Sequence, residues 1–146
     1  MITAPLNILL VEDNLDHAEL VRRQLQNLPV NCRVSQVEDG EAALDFIFGR
    51  GAPADRARFP QPDVVLLDLR LPRLDGMEVL RQIKNQPGLR HLPVVMLTTS
   101  DAERDMAKAY EFSAHGFLTK PVDFHRFVEL FKELGFLPAA PTPPQA

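Results

Sequence analysis

The chain has 146 residues, of which 45% are hydrophobic and 25% are charged, values typical of one globular domain. Its 16 basic and 20 acidic residues give a net charge of -4, and without a lysine or arginine run nucleic-acid binding is not expected. Cys32 is the only cysteine, which excludes an internal disulfide and a cysteine-built metal site. No apolar stretch approaches the ~18 residues of a membrane span, so we expect a cytoplasmic protein without membrane contact.

Five short apolar segments alternate with segments of helical period. The apolar segments, predicted as strands, are Leu6–Val11, Arg33–Val37, Val64–Leu67, Val94–Leu97 and Gly116–Thr119. Three of them are nearly continuous apolar runs, which is typical of strands that helices cover on both faces of a parallel sheet. The alternation predicts an α/β fold.

The segments between the predicted strands carry the signals of amphipathic helices. One apolar face is formed by Ala18, Val21, Leu25 and Leu28 in the first helix and by Met77, Leu80 and Ile83 in the third. Ser100 and Glu103 have the spacing of a capping box at the start of a fourth helix. Asp123 is placed to cap a fifth and last helix.

Two segments interrupt this alternation. Residues 49–61 are rich in Gly, Pro and Arg, which indicates a long loop between the second helix and the third strand. Residues 138–146 contain four prolines and are predicted to form a disordered or extended tail. We therefore assign residues 1–137 to one domain and residues 138–146 to a Pro-rich tail.

Polar side chains stand where four of the predicted strands end. They are Glu12 and Asp13 after the first, Asp68 after the third, Thr98 after the fourth and Lys120 after the fifth. In open α/β sheets, ligands bind in the crevice outside the carboxyl ends of the strands, so we expect these side chains in one place. Taken singly, Asp68 is equally compatible with a carboxylate solvated at a turn, and Glu12 and Asp13 are also compatible with the N-terminal cap region of the first helix. Thr98 alone is more typical of a strand residue and Lys120 alone of a surface lysine, so the assignment depends on the set.

Three neighbouring carboxylates repel one another and therefore require positive charge. Lys120 supplies one charge, and Mg2+, which prefers oxygen ligands, is the natural source of the rest. An aspartate in such a site can act as a nucleophile toward a phosphoryl group. The metal and Lys120 would stabilise charge on the transferring oxygens, and Thr98 would donate a hydrogen bond to one of them.

Four motifs in the chain resemble those of bacterial two-component response regulator receiver domains. They are VEDN (11–14), LLDLRLPRLDG (66–76), VVMLTTS (94–100) and FLTKP (117–121). They occur in the family's order and spacing from Leu6 to about Leu134, apart from the longer loop at 49–61. The resemblance implies a flavodoxin-like (βα)5 fold, whose doubly wound parallel sheet has the strand order 2-1-3-4-5.

The resemblance also implies a role for each matching residue. Asp68 would accept the phosphoryl group, and Thr98 and Lys120 would bind it. The implied Mg2+ ligands are Asp13, Asp68, the backbone carbonyl of Arg70 and, through water, Glu12.

Further positions of the resemblance concern switching and rates. Phe117 would be the switch aromatic that turns inward when Thr98 is drawn to the phosphoryl group, and Lys120–Pro121 corresponds to the family's cis peptide bond. Pro72 and Gly76 would shape the loop after Asp68, where Gly permits unusual backbone angles. The residues implied to tune the rates are Arg70, Thr99 and Ser100.

The function that the resemblance implies is a phosphorylation switch in two-component signalling. A sensor histidine kinase would donate the phosphoryl group, and the chain would catalyse only its own phosphorylation and slow dephosphorylation, rather than act as an enzyme. With no output domain in the sequence, the domain would act on a partner in trans. The 49–61 loop and the DLRLPRLDGMEVL run further resemble the small regulators that partner bacterial phytochromes. That group implies a bacteriophytochrome as kinase and a homodimer through the face of the fourth helix, fifth strand and fifth helix.

Two other functions compete with that of a phosphorylation switch. An aspartyl-nucleophile phosphohydrolase usually has an acid two residues after its nucleophile, where this chain has Arg70, which cannot serve at neutral pH. A receiver-like module that binds partners without phosphorylation would not need the intact acidic, hydroxyl and lysine set. The four histidines share no metal-ligand spacing and are interpreted as surface or boundary residues, although His17 lies one turn from Asp13 and could sense the site.

Overall fold

The computed structural model of the chain describes residues 5–49, 61–99 and 114–137. Within these ranges the strands are β1 (Leu6–Val11), β2 (Cys32–Val37), β3 (Val64–Asp68), β4 (Val94–Thr98) and β5 (Gly116–Thr119). The helices are α1 (Leu15–Gln26), α2 (Gly40–Phe48), α3 (Gly76–Asn85) and α4 (Phe124–Glu133). Helix α4 is the fifth helix of the predicted series, because the helix predicted to begin near Ser100 lies outside the described residues. So do most of the 49–61 loop and the 138–146 tail.

The five strands form one parallel sheet in the order β2-β1-β3-β4-β5, which confirms the predicted topology. The register aligns the carboxyl ends of neighbouring strands. Val11 at the end of β1 pairs with Val37 and Leu67, and Thr98 at the end of β4 pairs with Thr119. The residues that follow β1, β3, β4 and β5 therefore emerge at one edge of the sheet.

Three strands are longer than their apolar runs. Strand β2 begins at Cys32 rather than at Arg33, and β3 and β4 extend to Asp68 and Thr98. The cause is backbone pairing, which continues through polar residues: Asp68 is in register with Leu97. Two of the predicted site residues are consequently fixed within the sheet rather than in the loops after it.

Side chains from alternate strand positions enter two apolar layers, one on each face of the sheet. Ile8 and Leu10 of β1 pack in the layer beneath α1 and α4, whereas Leu9 and Val11 pack in the layer beneath α2 and α3. Strands β3 and β4 are buried along their whole length. This double coverage confirms the interpretation of the continuous apolar runs. No helix in the three described ranges has the length and apolar character needed to cross a membrane.

Each helix begins at a residue whose side chain accepts a hydrogen bond from the first turn. These N-caps are Asn14 for α1, Asp39 for α2, Asp75 for α3 and Asp123 for α4. The predicted role of Asp123 is therefore confirmed. Because Asn14 caps α1, the two acids before it are not needed for capping.

Candidate functional site

The carboxyl edge of the sheet holds a cluster of three carboxylates. Single carboxylate oxygens of Glu12, Asp13 and Asp68 all lie within 4.8 Å of one another. Glu12 and Asp68 are buried, whereas Asp13 is exposed. The structure thus brings together the three acids that the sequence placed at the ends of β1 and β3.

Lys120 joins the two buried carboxylates. Its Nζ atom donates to the Oδ2 atom of Asp68 at 3.0 Å and to the Oε1 atom of Glu12, and its side chain is only 9% exposed. Its backbone N–H donates to the Thr98 carbonyl oxygen at 2.6 Å, and the peptide bond to Pro121 is cis. The ammonium group therefore provides the positive charge that two buried carboxylates require.

Burial and the neighbouring Asp68 carboxylate raise the pKa of Glu12 to about 7, although the Lys120 ammonium acts in the opposite direction. Burial also lowers the pKa of Lys120, but its hydrogen bonds to Glu12 and Asp68 outweigh burial and place that pKa above its usual value. One ammonium group therefore does not fully offset the clustered acids, so the cluster favours a further cation.

The raised pKa of Glu12 predicts a pH dependence of folding stability in the absence of divalent cations. The ordinary value is 4.5, so the folded protein binds the proton more tightly than the unfolded chain. The stabilisation of the fold by protonated Glu12 is fully present below pH 4.5 and is lost as the pH rises through about 7. Over this range the free energy of unfolding should fall by about 1–3 kcal/mol. Urea unfolding of the wild type and Glu12→Gln across pH 4–8 checks this, because only the wild type should show this loss. Parallel curves for the two proteins would contradict it.

Both oxygens of the Asp68 carboxylate have defined partners. The Oδ1 atom accepts from the backbone N–H of Arg70 at 3.1 Å, and the Oδ2 atom accepts from Lys120. The residue is 6% exposed and closes strand β3. A carboxylate in this position is oriented by its partners and keeps a small exposed surface, as a nucleophile requires.

Thr98 is completely buried beside this cluster at the end of β4. Its hydroxyl oxygen has no hydrogen-bond partner among the residues that the structure describes. A buried polar group without a partner costs about 1–3 kcal/mol, so this hydroxyl fits a ligand that accepts a hydrogen bond from it. A phosphoryl oxygen on Asp68 is such an acceptor.

The donor set also fits a hard divalent cation. Carboxylate oxygens are ligands that Mg2+ prefers, three of them lie within 4.8 Å of one another, and the exposed Asp13 leaves one side open to water. Asp13 and Asp68 would hold the cation from the protein side, and it would offset the charge that Lys120 leaves uncompensated. The backbone carbonyl of Arg70 stays a predicted ligand.

Gly76 is required for a different reason from the predicted one. It does not have a positive φ angle; in this loop the residue with positive φ is Arg73, at 66°. A Cβ atom on Gly76 would lie 2.3 Å from the carbonyl oxygen of Asp68 and 2.9 Å from the Cα atom of Leu69. Close packing of α3 against the end of β3, rather than backbone freedom, therefore selects glycine.

The structure describes three of the remaining predicted switch and rate residues. Phe117 lies on β5 in register with Met96 and is partly buried in the layer beneath α2 and α3. Arg70 and Thr99 are exposed, and Ser100 lies outside the described residues. The switching and rate-tuning roles of these residues stay predictions.

The sequence interpretation underestimated one residue, His17. Its Nδ1 atom lies 3.2 Å from the Nζ atom of Lys120, so it belongs to the site rather than only to the surface. The available signal was its helical spacing of four residues from Asp13. In contrast, the Nδ1 atom of His115 accepts from the backbone N–H of Val94 and lies 3.3 Å from the Nζ atom of Lys84, away from the site.

Comparisons with known proteins agree with this geometry. FilR2 of Methanothrix harundinacea, a probable methanogenesis regulatory protein, is 44% identical over 137 residues, which cover 88% of this chain and 83% of FilR2. The response regulator Rcp1 of Synechocystis sp. is 40% identical over 116 residues, 80% of this chain and 77% of Rcp1. The structure of Mn2+-bound Rcp1 has a TM-score of 0.70 at 38% identity and 89% coverage of both chains.

A further solved structure, the bacteriophytochrome response regulator RtBRR, has a TM-score of 0.84 at 39% identity, covering 97% of this chain and 85% of RtBRR. The profile of the response regulator receiver domain matches residues 8–132, which include all four strand ends that carry the site. With most of its length matched to this profile and to these relatives, the chain belongs to the response regulator receiver domain family.

Proposed function

We propose that the chain is a cytoplasmic phosphorylation switch that accepts a phosphoryl group from a sensor histidine kinase onto Asp68. Receiver domains are signalling phosphoacceptors that take phosphoryl groups from histidine kinases. The observation that carries the proposal is the environment of Asp68: a buried carboxylate that contacts the Lys120 ammonium, near the Thr98 hydroxyl, which has no hydrogen-bond partner in the described part of the chain. Its output would be altered association with a partner.

The transfer requires the residues of the site to perform distinct tasks. A carboxylate oxygen of Asp68 forms the new bond to phosphorus as the bond to the kinase histidine nitrogen breaks. Lys120 then shares its N–H donors with a phosphoryl oxygen, and the Thr98 hydroxyl donates to another. Bound Mg2+ would neutralise charge on the transferring phosphoryl oxygens and on the acidic cluster. Movement of Thr98 toward the phosphoryl group would allow Phe117 to turn inward.

A Mg2+ titration by calorimetry tests the metal site. Asp13 is the test position because it is exposed and makes no hydrogen bond to Lys120, so Asp13→Asn leaves the internal ion pairs intact. We expect one Mg2+ per wild-type chain and a loss of affinity of at least about tenfold in Asp13→Asn. Asp16→Asn, an exposed acid in the first turn of α1, is the matched control and should bind as the wild type does. Equal affinity in all three proteins would contradict the site.

We further propose that the donor is a kinase of the bacteriophytochrome type. The support is the likeness to RtBRR, which is named as a bacteriophytochrome response regulator. Phosphotransfer from a labelled bacteriophytochrome kinase should be faster than transfer from an unrelated histidine kinase at equal concentrations. Equal transfer rates from the two kinases would contradict this choice of donor. The likeness to FilR2, which is named as a probable methanogenesis regulatory protein, makes that the competing outcome.

A homodimer is the proposed form of association. Its face would include β5 and α4, where Phe124 and Val128 are only partly buried in the apolar layer beneath α1 and α4, together with the helix predicted after Ser100. Sedimentation of the unphosphorylated and phosphorylated protein over micromolar concentrations tests it. A monomer in both states would remove this part of the proposal.

A further inference from the structure

His17 contacts the ammonium group that joins the two buried carboxylates. Its Nδ1 atom lies 3.2 Å from the Nζ atom of Lys120 and 3.7 Å from the Oε1 atom of Glu12. An ammonium group has only N–H donors, so in the Lys120–His17 hydrogen bond the Nδ1 atom is the acceptor. The same nitrogen cannot then donate to Glu12.

The position of His17 is fixed by the start of α1. Its backbone N–H donates to the side-chain oxygen of the N-cap Asn14 at 3.0 Å, which holds the first turn of the helix at the edge of the site. The side chain is 44% exposed and lines a cavity of about 330 Å³ that also borders Thr99 and Lys120. Substitution of the ring therefore changes an accessible side chain and leaves the apolar layers intact.

The Lys120 ammonium has three N–H donors, and the structure describes three acceptors within reach of them. Two acceptors are the carboxylates of Glu12 and Asp68, and the third is the Nδ1 atom of His17. Mg2+ held by the acidic cluster would compete with Lys120 for the carboxylate oxygens. The bond to His17 would not face this competition, because Mg2+ prefers oxygen ligands, so it would keep Lys120 in place.

We infer that His17 is a positioning residue for the phosphorylation of Asp68, because its Nδ1 atom holds the Lys120 ammonium where it meets the incoming phosphoryl oxygen. The inference rests on the proposed function and adds a specific residue to it. His17 forms no covalent bond and donates no proton in this role. It acts only through the orientation of Lys120.

The test compares His17→Leu, which removes the acceptor, with His17→Gln, whose side-chain oxygen can still accept from Lys120. Phosphorylation by acetyl phosphate at saturating Mg2+ gives the maximal rate constant and the half-saturating donor concentration. We expect His17→Leu to lower the rate constant by about 3–10-fold and to leave half-saturation and Mg2+ affinity within about twofold. His17→Gln should recover most of the rate.

His125→Leu is the matched control. His125 is exposed, and its backbone N–H also donates to the N-cap of its helix, but the helix is α4. Its rate should equal that of the wild type. A protonated Nδ1 of His17 in the nitrogen NMR spectrum of the folded protein would overturn the inference independently of any rate.

The outcomes separate this inference from the proposed function. If the wild type is labelled and His17→Leu has the same rate constant, the inference alone is overturned. An equal loss of rate in His17→Leu and His17→Gln would indicate a structural role for His17 and would also overturn the inference alone. A folded wild type that accepts no phosphoryl group overturns the proposed function and the inference together. A loss in His17→Leu that His17→Gln restores supports both.

Discussion

Lys120→Met is expected to slow the phosphorylation of Asp68 by about 100-fold or more. Among the described residues, the Lys120 ammonium is the cationic group that lies within the acidic cluster, where it contacts Asp68 and Glu12. Without it, the negative charge on the transferring phosphoryl oxygens would lose its buried ammonium donor. Rates of labelling by acetyl phosphate at saturating Mg2+ measure the effect. Mg2+ binding should persist, because the carboxylates remain.

Lys84→Met provides the matched control for this result. Lys84 is also partly buried, but its Nζ atom donates to the carbonyl oxygens of Arg90 and Leu92, both at 3.1 Å, and it lies away from the site. Its loss should lower the free energy of unfolding by about 1–3 kcal/mol without changing the rate constant of labelling. A Lys120 variant that is labelled as fast as the Lys84 variant would show that the ammonium group does not assist transfer.

Gly76→Ala is expected to damage both stability and phosphorylation. The added Cβ atom would lie 2.3 Å from the carbonyl oxygen of Asp68, a backbone atom at the end of β3 that cannot rotate away. Relief requires α3 or Asp68 to move, so we expect a loss of about 1–3 kcal/mol in the free energy of unfolding. The displaced carboxylate should also be labelled more slowly than in the wild type. Urea unfolding and acetyl phosphate labelling measure the two effects.

Two other glycines serve as controls for this steric argument. A Cβ atom on Gly116 would meet the flexible end of the Leu130 side chain, at 2.6 Å, and one on Gly88 would meet no atom within 4 Å. Gly116→Ala should therefore be milder, and Gly88→Ala should cost only the strain of its positive φ, about 1 kcal/mol. If Gly76→Ala lowered the free energy of unfolding no more than Gly88→Ala, the close approach of α3 to Asp68 would not explain the glycine at position 76.

The sheet and the membership of the site could be predicted because both depend on patterns along the chain. Continuous apolar runs marked strands that are covered on both faces, and the polar residues that end those runs had to meet at one edge. The exact strand ends could not be predicted in this way. Backbone hydrogen bonding continues through Asp68 and Thr98, and apolarity carries no information about it.

The remaining differences concern contacts between segments that are distant in the sequence. The need for Gly76 arises from the approach of α3 to the end of β3, and the contact of His17 arises from the approach of α1 to Lys120. Neither distance is encoded in local spacing. The sequence did indicate that His17 lies one turn from Asp13, but not that a lysine 103 positions later would donate to its ring.

The most direct test of the central claim is phosphorylation by acetyl phosphate, with and without Mg2+, of the wild type and Asp68→Asn. Intact-mass measurement followed by peptide mapping locates the modification. We predict one phosphoryl group per wild-type chain, on the peptide that contains Asp68, only when Mg2+ is present, and none on Asp68→Asn. A folded wild type that gains no phosphoryl group from acetyl phosphate or from a histidine kinase would contradict the account, as would undiminished labelling of Asp68→Asn.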